Sequence, residues 1–333
     1  MKLQFPTNDV LDFFTDNDLF YLIGHRDPDG DCLSSQIALN LFLERMGKKT
    51  RLFTPGPYNR LESEPFLNYK NLFVKDINNT IKSDIKKNKN PVAVVVDCSA
   101  RNRIGIIGDS ILNIKTLIID HHYSGQNFGD LFYIDPTAPS VTILISILIK
   151  SLGYSVKNDE AKLLFFGFCT DTGFFRHLEN NNSFIFNEIS ILLKTEPVTP
   201  REVFSLIYRN RTLASRKLLG KILARTKSYF SGSILLTYET YEEISSVSED
   251  ERDSDALYLQ LFSVPACKVI VFLKEEEKNI YTIGLRSNGS VNVAELAALF
   301  GGGGHKMASG CTIEGDLTEV EGKIMGRLKD LIN

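Results

Sequence analysis

Short apolar runs recur along the first half of the chain, and several end abruptly in an acid or a histidine. Leu19-Phe20-Tyr21-Leu22-Ile23, Val92-Ala93-Val94-Val95-Val96 and Thr116-Leu117-Ile118-Ile119 are the clearest. Runs of this length, apolar at every position, read as strands buried on both faces of a parallel sheet. Strands are expected over 19–24, 50–53, 92–96, 116–119 and 131–134. Between and after them the spacing changes to that of helices, over 32–46, 141–152, 159–168 and 184–193. Ile37, Leu41 and Met46 share roughly one helical face, whereas 141–152 is apolar nearly all round and so belongs in a core. This alternation predicts an α/β domain, a parallel sheet with helices on both faces.

The pattern breaks at Thr195-Glu196-Pro197-Val198-Thr199-Pro200, where two prolines stop one element and start another. Helices over 201–208 and 213–225 follow as a connector. A smaller α/β domain begins near 228, with strands over 229–238, 268–273 and 280–286 and helices over 293–300 and 317–332. The expected divisions are 1–194, 195–227 and 228–333. The acidic run 248–253 reads as a solvated loop or helix start, and 274–279 as a hairpin tip.

Chemistry gathers where the first-half strands end. His25-Arg26-Asp27-Pro28-Asp29-Gly30-Asp31 follows the first run, Asp97 follows the second and Asp120-His121-His122 follows the third. Asp171 lies in a further apolar stretch, 165–175, and is expected in a similar setting. In open α/β sheets the carboxyl ends of the strands form the ligand crevice. Six carboxylates and three histidines would crowd that crevice. So much negative charge is untenable without cations, which points to a metal site, with two metals the economical arrangement. Each cluster alone has a plainer explanation: a solvated turn for 25–31, a loop histidine at 121 or 122, a cap for Asp97, a paired core acid for Asp171. The joint pattern outweighs these, because three of only five histidines fall in two strand-end clusters.

These residues resemble, in order, the four motifs of the DHH phosphoesterase superfamily: 25–31, Asp97, Asp120-His121-His122 and Asp171. Arg286-Ser287, Asn292-Val293 and Gly301-Gly302-Gly303-Gly304-His305 resemble the glycine-rich signature of the associated DHHA1 domain. At this length the chain is most similar to the stand-alone oligoribonucleases, or nano-RNases, that also dephosphorylate pAp. Ser34 stands where the family usually has glycine, a change that leaves the ligand positions untouched.

The resemblance implies that His25, Asp29 and Asp97 hold one metal and that Asp31, Asp97, His121 and Asp171 hold the other, with Asp97 shared. Carboxylate-rich ligation with histidine suits Mn2+, with Mg2+ or Co2+ as substitutes. It implies that His122 faces the scissile phosphate, that Asp120 orients an imidazole, and that Arg103 anchors its loop or a phosphate. Arg286, Ser287, Gly303, Gly304 and His305 would grip the non-scissile phosphate or nucleotide end in a cleft between a catalytic domain (1–194) and a DHHA1 domain (228–333). A glycine run lets backbone N–H groups approach an anion, and a guanidinium suits bidentate phosphate recognition.

Composition narrows the substrate. With 38 basic and 41 acidic residues the net charge is −3, which suits a short anionic ligand in a local pocket better than a long nucleic acid. Cys32, Cys98, Cys169, Cys267 and Cys311 show no metal or disulfide spacing and read as reduced thiols of a cytoplasmic protein. No signal peptide or membrane span is expected. The reading is therefore a two-metal hydrolase of short oligoribonucleotides and pAp. The same ligands would also serve a phosphodiesterase of linear or cyclic dinucleotides. A single-strand exonuclease would need further nucleic-acid-binding modules, and an inactive RNA-binding module would lack a ligand. Oligomeric state, a homodimer included, is left open.

Overall fold

The apolar runs become adjacent strands of one parallel sheet. In this computed structural model, which describes residues 3–56, 61–87, 89–122, 128–178, 183–195, 198–209, 211–246 and 252–332, the chain divides into units Met1–Asn210 and Arg211–Asn333. The first contains α1 (Asn8–Thr15), β1 (Leu19–Ile23), α2 (Gly30–Arg45), β2 (Lys49–Phe53), α3 (Ile77–Lys86), β3 (Val92–Val96), α4 (Ile106–Ser110), β4 (Thr116–Asp120), β5 (Leu131–Ile134), α5 (Val141–Ser151), α6 (Asn158–Asp171), α7 (Ser183–Thr195) and α8 (Pro200–Tyr208). The strand order is β2-β1-β3-β4-β5, parallel throughout.

Side chains alternate across this sheet, as a period of two requires. Phe20, Leu22, Val94, Val96, Leu117 and Ile119 join α1, α2, α5, α6 and α7 in one core. Leu19, Tyr21, Ile23, Ala93, Val95 and Ile118 pack with Ile77 and Ile81 of α3 and Ile107 of α4 on the other face. Both faces are covered, which explains why β1 and β3 are apolar at every position and β4 at its three central ones. Buried Gln36 in α2 fastens the sheet's neighbours together, its amide donating to Leu22 O at 3.1 Å and to Phe53 O at 3.0 Å.

Asp171 is placed differently from the expectation. The helix expected over 159–168 continues to Asp171, so the acid ends a helix and not a strand. Leu163, Leu164, Phe165, Phe166, Phe168 and Cys169 are all buried, and Asp171 is the last residue of α6. A short apolar run buried on all sides cannot be told from a strand by periodicity.

The second unit contains α9 (Leu213–Ala224), β6 (Lys227–Tyr229), β7 (Ile234–Glu239), α10 (Tyr241–Ser245), α11 (Ser254–Phe262), β8 (Val269–Glu277), β9 (Ile280–Ser287), α12 (Val293–Ala298), β10 (Gly303–His305), β11 (Ala308–Glu314) and α13 (Leu317–Ile332). Its mixed sheet runs β10-β11-β9-β8-β7-β6, and only β7 and β8 are parallel. α12 and α13 cover one face; α9 and α11 cover the other. The single strand expected over 229–238 is two, because Phe230 and Ser231 adopt positive φ before Gly232 and fold the segment into a hairpin. The hairpin expected at 274–279 is present, but its tip is shorter: β8 runs on to Glu277, and only 278–279 form the turn into β9. Most of the acidic run 248–253 lies outside the described residues; its last member, Asp253, caps α11 by accepting from Ala256 N at 3.1 Å. The expected connector contributes α8 to the first unit and α9 to the second.

Candidate metal centre

Five segments of the first unit deliver polar groups to the carboxyl end of its sheet. Asp29 caps α2, its carboxylate accepting from Cys32 N at 3.0 Å. Asp31, one turn into that helix, is fully buried, and both its oxygens accept N–H groups from the start of α5: Val141 at 2.7 Å and Thr142 at 3.0 Å. A carboxylate at a helix N-terminus is favourably placed. Asp97 ends β3 in the left-handed region at φ 58°. That conformation costs roughly 1–2 kcal/mol for most residues and is best tolerated by Gly, Asn and Asp.

The side chains converge. His25 Nε2 lies 3.3 Å from Asp97 Oδ2 and 3.7 Å from Asp29 Oδ2. His121 Nε2 lies 3.4 Å from Asp171 Oδ2 and 3.6 Å from Asp97 Oδ1. Asp97 therefore touches both imidazoles. Ligand atoms lie within 4.8 Å of one another in three groups: His25, Cys32 and Asp97; Asp97, His121 and His122; Asp31, His121 and Asp171.

The tautomers suit a cation. His25 Nδ1 is 2.8 Å from Arg26 O, and His121 Nδ1 is 3.2 Å from Ala138 O. Those carbonyls require N–H at Nδ1, so Nε2 is in each case the nitrogen that faces the carboxylates and the one a cation can take in place of a proton. Arg103 Nη2 also lies 3.3 Å from His25 Nδ1, but two donors cannot share that contact and the shorter carbonyl bond decides. His25 Nε2, His121 Nε2, Asp97 Oδ1 and Asp120 Oδ2 are buried without hydrogen-bond partners. Native proteins rarely leave such atoms unsatisfied. Four together, of mixed nitrogen and oxygen character, fit divalent cations.

Asp120 and His122 form a second pair. The buried Asp120 Oδ1 accepts from His121 N at 2.7 Å and His122 N at 3.2 Å, and lies 2.7 Å from His122 Nδ1. Burial pushes the Asp120 carboxyl up, but the His122 hydrogen bond and charge, with Ser99 and the His121 amide, outweigh it and hold the group below the ordinary range. The imidazole that Asp120 orients is thus His122, whose ring is 44% exposed. Arg103 ties two loops together through its backbone, its carbonyl accepting from Arg26 N at 2.7 Å. Not every strand-end acid joins the site. Asp135, just after β5, is held by Gln4 N at 2.6 Å and by Thr137.

In the second unit, Arg286 and His305 stand in one row across the sheet, each opposite Ala308 or its register partner. The Arg286 guanidinium stacks over Tyr258, 4.6 Å from the ring centre. Ser287 is buried, and its hydroxyl accepts from Gly289 N at 3.1 Å and Val291 N at 3.3 Å. Gly303, Gly304 and His305 form the exposed edge strand β10. Gly304 sits at φ 141°, and any Cβ there would meet Ala308 O at 2.6 Å, so the strand needs glycine.

Cys32 is the residue that sequence reasoning kept out of the ligand set. Its place three residues after the Asp29 cap, on the first turn of α2, is the signal that could have found it.

The protonation of the ligand cluster gives a testable pH dependence. Burial pulls His25 down, but the neighbouring Cys32 and Asp29 outweigh it and push it up to about 10. Burial, then the surrounding acids Asp29, Asp31, Asp171 and Asp120, push Asp97 well up. Folded, cation-free protein therefore holds protons more tightly than the unfolded chain. The His25 contribution to stability is complete below its ordinary value of 6.5 and is lost as pH rises through about 10. Chelated protein should melt at progressively lower temperature across that window. Mn2+, which replaces the protons, should raise Tm more at the alkaline end than at the acid end. A Mn2+ effect equal at both ends would contradict this account.

Residues 19–168 match the DHH family, N-terminal domain, and residues 240–333 match the DHHA1 domain. The chain is 26% identical over 314 residues to a Thermus thermophilus protein named bifunctional oligoribonuclease and PAP phosphatase NrnA, covering 93% of this chain and 89% of that protein. A Bacillus subtilis protein of the same name is 27% identical over 302 residues, covering 89% and 90%. Among solved structures, an exopolyphosphatase-related protein from Bacteroides fragilis superposes with a TM-score of 0.82 at 25% identity, covering 96% of this chain and 95% of that one.

Proposed function

Since this chain belongs to the DHH family and carries a DHHA1 domain after its DHH domain, we propose that it is a metal-dependent phosphoesterase of short oligoribonucleotides and of the 3′-phosphate of pAp. The observation that carries this reading is the set of buried, unpartnered nitrogen and oxygen atoms on His25, Asp97 and His121. The names of the relatives support the substrate class.

His25, Asp29 and Asp97 would hold one cation, and Asp31, Asp97, His121 and Asp171 a second. Mn2+ suits this donor set best. Such cations supply Lewis acidity toward a phosphoryl oxygen and lower the pKa of water at the site. The protein's own part is to hold the reacting groups in place. Asp31 keeps its geometry because two α5 amides fix both oxygens. His122 would give Nδ1–H to Asp120 and turn its Nε2 toward the phosphoryl oxygen that gains charge. Arg286, stacked on Tyr258, and the exposed His305 would grip the non-scissile end, with the β10 backbone beside them.

The test is a comparison of kcat/KM with Mn2+ at one salt concentration. A trinucleotide should be cleaved much faster than a strand of about 24 nucleotides, because a net charge of −3 provides no track for a long polyanion. pAp should lose its 3′-phosphate, and inorganic polyphosphate should be a poor substrate. Arg286→Ala should raise KM for the trinucleotide more than it lowers kcat. Equal efficiency on both strand lengths would favour a long-strand exonuclease, and strong polyphosphate turnover would overturn the nucleotide assignment.

A further inference from the structure

We propose that Cys32 gives this metal centre a thiolate donor, so that His25, Cys32 and Asp97 capture Zn2+ in competition with the hard cation the other ligands prefer. The inference rests on the reading of His25 and Asp97 as metal ligands and extends it to the choice of metal.

The geometry carries the argument. A sulfur, a nitrogen and a carboxylate oxygen from these three residues lie within 4.8 Å of one another, and all three residues are buried. Two of them bring atoms that the fold leaves unsatisfied: His25 Nε2 and Asp97 Oδ1 are buried without hydrogen-bond partners. The sulfur is held in place by its surroundings. It lies against Gly24, where any Cβ would meet it at 2.7 Å, and the Cys32 backbone is fixed through its N–H to Asp29 Oδ1 at 3.0 Å. Cysteine sulfur, imidazole nitrogen and carboxylate oxygen are the donors that Zn2+ takes, commonly four at a time, and a further carboxylate oxygen, Asp29 Oδ2, lies 3.7 Å from His25 Nε2. Divalent zinc also binds such donors more tightly than manganese, and a soft sulfur widens the difference. As the S–Zn bond forms, the Sγ–H bond breaks and the proton passes to solvent. No oxidant or reductant takes part.

A site of this kind would hold the enzyme in a zinc-loaded state whenever free Zn2+ rises, and exchange back to the activating cation would be slow. The sulfur is then a selectivity element for the metal and plays no part as a nucleophile.

Two measurements on the full chain test this, with Zn2+, Mn2+ and Co2+ themselves as probes. Loaded with Co2+, the unaltered protein should show thiolate-to-cobalt charge-transfer absorption, and Cys32→Ser should lack it. In competition dialysis, Cys32→Ser should bind Zn2+ at least about tenfold more weakly, with Mn2+ affinity unchanged. Serine keeps the size of the side chain, and an unchanged Mn2+-loaded melting temperature establishes that the variant is folded. A Cys32→Ala variant serves the same comparison without a hydroxyl. Mn2+ binding together with identical Zn2+ affinity in parent and variants, or no charge-transfer band in the parent, would overturn the proposal and leave the metal centre standing. Failure of the parent to bind any of the three cations would overturn both.

Discussion

Asp97→Asn is expected to lower kcat/KM by about a thousandfold or more, the scale on which a single electrostatic stabiliser acts in an active site. Asparagine is the informative replacement. It has nearly the same shape, and it tolerates the left-handed backbone at φ 58° that alanine would strain. What it removes is the charge that lies 3.3 Å from His25 and 3.6 Å from His121. Both imidazoles lose their common partner at once, so metal content measured by elemental analysis should fall together with activity. Since Asp97 is pushed up by burial and four neighbouring acids, the variant also relieves repulsion. Its chelated form should melt no lower than the chelated parent, and at alkaline pH it should melt higher. Retention of full activity after exhaustive chelation of the parent would remove the basis of the prediction.

His122→Ala is expected to have the next largest effect, with a different signature. Loss of a positioned proton donor costs roughly 10²–10⁴ in rate. The loss should fall on kcat, with KM and metal content nearly unchanged. The distinction has force here because His122 also lies within ligand distance of Asp97 and His121. A variant that loses metal along with activity would show that His122 is a ligand and not a donor. Asp120→Asn should give a smaller fall, because the amide oxygen can still accept from His122 Nδ1 while the carboxylate charge is gone. If Asp120→Asn matched the parent across the pH range, the orienting role would have no support.

The strand ends were legible because they depend on local signals. β1, β3 and the centre of β4 are buried on both faces, so their residues had to be apolar, and the acids and histidines at their ends mark the carboxyl edge. Asp171 was legible as part of the site, and most of α6 was legible as the helix expected over 159–168; what was not legible is that the helix runs on to Asp171, because its last turns are apolar and buried and give no polar face to mark the end. The hairpin of β6 and β7 was read as one strand, since its turn rests on left-handed Phe230 and Ser231, residues that rarely signal such a conformation. β10 was read only as a glycine run, with no strand expected there. Its strand character comes from pairing with β11, a contact that no local pattern announces. Cys32 was set aside because cysteine spacing along the chain was the criterion. Its partners His25 and Asp97 reach it through the fold.

Asp31 bridges the beginning of α2 to the beginning of α5, 110 residues later in the chain. The proposed ligand set as a whole runs from His25 to Asp171. During synthesis, therefore, no nascent chain that ends before residue 171 carries the full set. Until the α5 amides have emerged, Asp31 lacks the two N–H groups that fix its oxygens. A ribosome-bound intermediate would hold isolated acids and imidazoles of low affinity and would release a captured ion readily. On the proposed ligand set, cation acquisition would be tied to completion of the first unit, and the choice among metals would be made by a folded cage.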